Sequence, residues 1–121
     1  LSDGSLSRVA ARQLERFDSL PRRELDGGLI VVGAETRRSR NLGLARLDEL
    51  PADWGLHIPH CPAVHTFTMR FALDLLWLGR DGRVVRIDRD VAPARMRACL
   101  RARSVIEVNA GRADAFTAAG A

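Results

Sequence analysis

Leu73-Asp74-Leu75-Leu76-Trp77-Leu78-Gly79-Arg80-Asp81-Gly82-Arg83-Val84-Val85-Arg86-Ile87-Asp88 is the stretch on which the fold turns. Its first six residues are mostly apolar and stop at the turn-forming run Gly79-Arg80-Asp81-Gly82. Beyond that turn, Val85 and Ile87 share one face of an extended chain while Arg86 and Asp88 take the other. Alternation that follows an Asp-Gly turn predicts a β-hairpin, and a glycine at Gly82 is suited to positive φ there.

The same logic extends outward. Downstream, residues 93–102 read as a short helix or packed loop with Met96 and Leu100 inward. Residues 104–108 alternate around Glu107 as a last strand. Asn109-Ala110-Gly111 then turns into a short alanine-rich helix that Gly120 ends. Upstream, Gly55-Leu56-His57-Ile58 reads as a strand ended by Pro59. Thr36 is placed to cap a basic helix over residues 37–42, with Gly43 interrupting it and a further turn over 44–50 before Pro51. Gly27-Gly28 breaks the chain before Leu29-Ile30-Val31-Val32, a β-branched run that predicts a buried strand. Leu6, Val9, Ala10, Leu14 and Phe17 recur at helical spacing behind a capping Ser5, and Pro21 closes that segment. These elements predict an α+β class: one compact β-rich domain, its sheet mostly antiparallel or rolled into a small barrel, with short flanking helices. Residues 1–28 form an N-terminal amphipathic helix and linker, and 29–121 a single domain.

Length and composition bound the function classes. A chain of 121 residues can bury one core without metals or disulfide staples, and 46% hydrophobic with 28% charged residues excludes a disordered or fibrous chain. The apolar runs are too short to cross a bilayer. Nineteen basic residues, all arginine, face 15 acidic ones for a net charge of +4. The absence of lysine fits a GC-rich genome as well as it fits selection for anionic partners. Arg8, Arg12 and Arg16 form one basic stripe and Arg37, Arg38 and Arg40 a second patch. Either suits phosphates or anionic lipid, but solvated faces explain both, and aromatics at 5% with no tyrosine make a poor single-strand platform. Nucleic acid is therefore not the expected partner. Two cysteines, Cys61 and Cys99, are too few for a disulfide framework and are expected as unpaired thiols. With no signal peptide in the opening residues, the expected location is the cytoplasm, and export stays open because Leu1 need not be the native start.

Chemistry concentrates in the middle of the chain. His57, His60 and His65 fall within nine positions, with Cys61 between them. His60 or His65 with Cys61 and Cys99 is a conceivable zinc set, yet the spacing fits no zinc finger or HExxH helix. No metal and no cofactor are expected. In Val64-His65-Thr66-Phe67-Thr68-Met69-Arg70-Phe71, an extended chain places His65, Phe67, Met69 and Phe71 on one apolar face and Val64, Thr66, Thr68 and Arg70 on the other. Arg70 and Asp74 are close enough in sequence to pair. A catalytic reading makes His65 a general base oriented by Asp74, with Arg70 on a substrate anion. Against it, no G-x-S-x-G elbow, P-loop or G-x-G-x-x-G is present.

The run from Cys61 to Phe71, then Leu73-Asp74, the Asp81-Gly82-Arg83-Val84-Val85 hairpin and Ser104-Val105-Ile106-Glu107-Val108-Asn109-Ala110-Gly111, resembles the DUF192 family of uncharacterised bacterial and archaeal proteins. The resemblance runs from about Leu29 to the C-terminus. It implies a compact β-rich α+β domain and carries His65, Phe67, Met69, Arg70, Asp74, Gly82, Glu107 and Gly111 as motif positions. Family members often have proline where this chain has Ala72, which leaves Phe71 less constrained. Many lack His65 and Cys61, which counts against a metal or catalytic role common to the family.

The expected function is a small non-catalytic module that binds a polar small molecule or a protein partner. His65, Met69, Arg70, Asp74 and Glu107 are the candidate binding residues, lining a groove beside the motif strand. The alternatives are a hydrolase or metal-assisted enzyme built on His65 and Asp74 with Cys61 and Cys99, and nucleic-acid binding through the arginine patches.

Overall fold

The computed structural model describes residues 7–121. Its framework is a six-stranded sheet in the order β1-β2-β3-β8-β5-β6. These strands are β1 (Arg22–Glu24), β2 (Ile30–Gly33), β3 (Trp54–Pro59), β5 (Leu73–Leu78), β6 (Val84–Val91) and β8 (Ser104–Asn109). All neighbours are antiparallel except β2 and β3. β4 (Ala63–His65) and β7 (Met96–Ala98) make a separate antiparallel ribbon. Among the described residues, β1 and β6 each have a strand partner on one side only, so the sheet is open and the α+β expectation is met by a sheet, not a barrel. Short α-helices flank it, among the described residues α1 (Arg8–Gln13), α2 (Arg37–Leu42) and α3 (Ala113–Ala118).

The sheet has an apolar layer on each face. Leu73, Leu75 and Trp77 of β5 join Leu56, Ile58 and Val105 on one face, under Leu14, Phe17, Leu20, Leu44, Leu47 and Leu50. Leu76 and Leu78 join Val31, Ile106 and Val108 on the other, under Ala113 and Phe116 of α3. All six residues of β5 are therefore buried, each large apolar side chain contributing about 2 kcal/mol. α3 sits close: a Cβ on Gly55 would lie 3.2 Å from the Phe116 ring and 3.0 Å from Val108.

Local signals place most elements well. The hairpin between β5 and β6 closes through Gly79 N–H to Arg83 O at 2.8 Å, with Gly82 at φ +81°. Thr36 caps α2 with a reciprocal bond to Ser39, and Gly43 follows the helix. α3 runs toward Gly120, which takes φ +103°.

Four expectations need correction. Val85 and Ile87 do not share a face. The register slips between Trp77 and Leu78, so Val84 rather than Val85 opposes Leu78. This bulge turns Val85 toward the Trp77 face, while Val84 and Ile87 pack on the α3 face. Residues 93–102 are neither helical nor inward at Met96 and Leu100, which are 65% and 94% exposed. There Ala94 adopts φ +66° after Pro93, a strand follows, and Cys99 and Ala102 enter the core instead. The chain is extended only as far as His65 and then turns, which buries Thr66 and exposes Phe67. Finally, α1 ends at Gln13 and tightens into a 3₁₀ turn over Leu14–Phe17, leaving Val9 exposed. Ser7 supplies its cap, accepting from Ala10 N–H at 3.0 Å. Ser5 and Leu6 lie outside the described residues. The charged edge strand β1 had no apolar signal to announce it.

Candidate functional site

A cleft of about 270 Å³ opens between the α2–Leu44 segment and the β4 ribbon. Leu42, Leu44, Ile58, Val64 and Met69 give it apolar walls, and Arg40, Asn41, Cys61, His65 and Thr68 line the rest. Glu107 is reached from inside it. Strand alternation explains the inward carboxyl: Glu107 lies opposite Leu75 and Leu56 on the face that carries Val105.

Glu107 is only 5% exposed. Among the described residues, no N–H or hydroxyl donates to its carboxyl, although Oε1 is 4.0 Å from where a Cβ on Gly43 would stand. Burial alone pushes its pKa up to about 7. At neutral pH this carboxyl both accepts and donates, the behaviour wanted of a group that meets a polar ligand or moves a proton.

Long-range contacts hold the walls. Arg16 donates to the carbonyls of Gly43 at 3.3 Å and Ala45 at 3.0 Å. Arg46 N–H donates to Thr68 O at 2.9 Å, tying that wall to the motif segment. Asp48 accepts from Arg70 and from Gln13, and its own N–H donates to Gln13 Oε1 at 2.8 Å. Thr66 anchors the far wall. Its hydroxyl donates to Ala92 O at 2.8 Å and accepts from Arg95 N–H at 2.9 Å, while its backbone N–H donates to Arg95 O.

Of the five candidate residues, the fold brings three together. His65, Met69 and Glu107 line the cleft, and the His65 ring stacks on Phe67 with centroids 5.0 Å apart. Arg70 and Asp74 stand apart from it and from each other. The expected Arg70–Asp74 pair does not form, because Arg70 reaches across to Asp48. Asp74 lies opposite Val108, on the α3 face of the sheet. Its Oδ1 accepts from Asp90 N–H at 2.8 Å, and Oδ2 accepts from Gly111 and Ala113 N–H, each at 3.0 Å. It is a clamp on the start of α3 and cannot orient His65.

Both cysteines are free. Cys61 donates to Ala63 O at 3.1 Å. Burial pushes its pKa up, the Ala63 contact opposes that, and the Glu107 charge adds to it. Among the described residues, no three His, Cys, Asp or Glu side chains group to hold a metal ion.

Sequence reasoning missed the α2–Ala45 wall and the Thr66 anchor. Gly43 was visible as a helix stop, but its place above Glu107 depends on a partner 64 positions away.

No curated protein matches the chain. Two solved structures share its fold. One is a Sinorhizobium meliloti 1021 protein provisionally described as a transcription regulator, 22% identical with a TM-score of 0.65 over 78% of this chain and 82% of that one. The other, of unknown function, comes from Novosphingobium aromaticivorans DSM 12444, is 18% identical with a TM-score of 0.63, and matches over 93% of each chain. No described helix is long and apolar enough to cross a membrane. The model of the DUF192 family, Uncharacterized ACR, matches residues 24–120. With the hairpin, the Asp74 clamp and Glu107 all inside that span, this chain belongs to the DUF192 family.

Proposed function

We propose that this protein is a small-molecule binding module whose ligand enters the cleft and donates a hydrogen bond to Glu107. One observation carries the reading: a buried carboxyl, without a donor among the described residues, at the inner end of a partly apolar cleft. A ligand N–H or O–H that bonds this carboxyl directly replaces the solvent of the cleft there, and a hydrogen bond to a charged acceptor contributes about 1.5–3 kcal/mol. The apolar walls favour a ligand body with carbon surface, and the Arg40, Asn41 and Thr68 side gives polar contacts around it.

The enzyme reading in its original form loses support, since Asp74 is spent on three backbone N–H groups across the sheet from the cleft. The N-terminal arginine stripe also loses a member to structure, because Arg16 is bound to two carbonyls.

The test is a thermal-shift and NMR screen of small amines, amides and polyols against the intact protein. Hits should perturb His65 and Met69 signals and weaken in Glu107→Gln, most strongly for cationic amines above pH 7. Hits that bind without moving those signals, or a screen in which no donor-bearing compound binds, would overturn the reading.

A further inference from the structure

The Glu107 cleft holds a second group of fixed charge. Among the described residues that line it, Arg40 is the only arginine and Glu107 the only acid. They come from different elements, Arg40 from the last turn of α2 and Glu107 from the middle of β8. Arg40 is half-buried there, whereas Arg37 and Arg38 of the same helix are exposed.

Gly43 sets how near the two charges stand. Residues three apart at helical spacing have Cβ atoms about 5–6 Å apart, and a Cβ on Gly43 would lie 4.0 Å from Glu107 Oε1. Arg40 Cβ is therefore within roughly 10 Å of that oxygen, and the long arginine stem reaches over part of the span. Yet among the described residues no ion pair joins them. Arg40 Nη1 donates instead to Glu35 O at 3.5 Å, and burial raises the Glu107 pKa without an offset from Arg40. Two opposite charges share one partly apolar cleft without meeting.

We infer that the cleft takes a zwitterionic amino acid with an apolar side chain, its ammonium on Glu107 and its carboxylate on Arg40. This rests on the cleft reading above and gives its ligand a class. A zwitterion brings each group the counter-charge that the fold withholds, and both new bonds are charge-assisted. A cation alone leaves Arg40 unanswered, and an anion alone meets the Glu107 charge. Leu42, Leu44, Ile58, Val64 and Met69 offer surface to the side chain. At about 270 Å³ the cleft lies below the usual range for drug-sized ligands, which suits a single amino acid.

The test titrates leucine, isoamylamine and leucinamide into the intact protein at pH 8, where Glu107 is mostly ionised, following His65 and Met69 by NMR. Leucine is expected to bind roughly tenfold or more tighter than the other two, which lack its carboxylate. Arg40→Gln should erase that advantage while isoamylamine binds as to the parent, which also shows that the variant folds. Arg38→Gln, exposed on the same helix, should change neither. Equal binding of leucine and the two amines by the parent, or an advantage that survives Arg40→Gln, would overturn the inference and leave the cleft reading standing. So would failure of leucine to bind where other donor-bearing compounds move His65 and Met69. If no donor-bearing compound moves them, the cleft reading falls with it.

Discussion

Asp74 and Glu107 are both buried carboxylic acids on adjacent central strands, only one register step apart. Asp74 opposes Val108, and Leu75 opposes Glu107. The side-chain period of two sends them through opposite faces of the sheet. On the α3 face, Asp74 accepts three backbone N–H groups, from the β6 bend at Asp90 and from the start of α3. On the other face, Glu107 has no donor among the described residues and faces a cleft. The same chemistry therefore serves two ends. One acid fastens the fold, and the other stands available.

The comparison breaks most visibly at Asp74. Asp74→Ala leaves three backbone N–H groups without their acceptor, two of them where α3 begins. Each charge-assisted bond is worth about 1.5–3 kcal/mol, so a loss of roughly 4 kcal/mol in unfolding free energy is expected. Chemical denaturation measures it. A variant as stable as the parent would show that solvent replaces Asp74 and that the clamp is ornamental.

Glu107 should behave oppositely, and its pH dependence shows why. Its folded pKa of about 7 lies above the ordinary value of 4.5, so the folded chain favours the protonated form. The stability this acid contributes is full below pH 4.5, falls as pH rises through 7, and stays lost above. The difference amounts to about 3 kcal/mol at most. Glu107→Gln, which cannot ionise, should flatten that slope and raise stability at pH 8 relative to the parent. Melting temperatures of both proteins from pH 4 to 8 decide it. Parallel curves would mean that Glu107 is already ionised and solvated in the fold.

How much of this contrast was legible beforehand follows from the range of the contacts. Alternation around the Asp81-Gly82 turn and the Thr36 cap are local, and both elements appeared where those signals placed them. The β4–β7 ribbon and the Thr66 anchor join residues distant in sequence, and no short window contains them. The roles of the motif charges diverged for the same reason. Arg70 and Asp74 stand four positions apart, which invites a pair, yet Arg70 meets Asp48 and Asp74 meets Gly111 and Ala113. Glu107 was identifiable as a strand residue worth naming. Its lack of a donor was not, because that depends on everything folded around it.

Gly43 gives the smallest and most local test of the available acid. It holds φ +50° with ψ −131°, outside the regions that L-residues favour, and an added Cβ would stand 4.0 Å from Glu107 Oε1. Gly43→Ala therefore combines backbone strain of about 1–2 kcal/mol with a methyl group over the carboxyl. If the cleft is the route by which solvent reaches Glu107, that methyl group removes water from it and raises its pKa further, so the pH dependence moves upward along with the modest loss of stability. Loss of stability with an unmoved pH midpoint would show that water reaches the carboxyl by another path, and that the Gly43 wall shapes the loop without controlling the acid behind it.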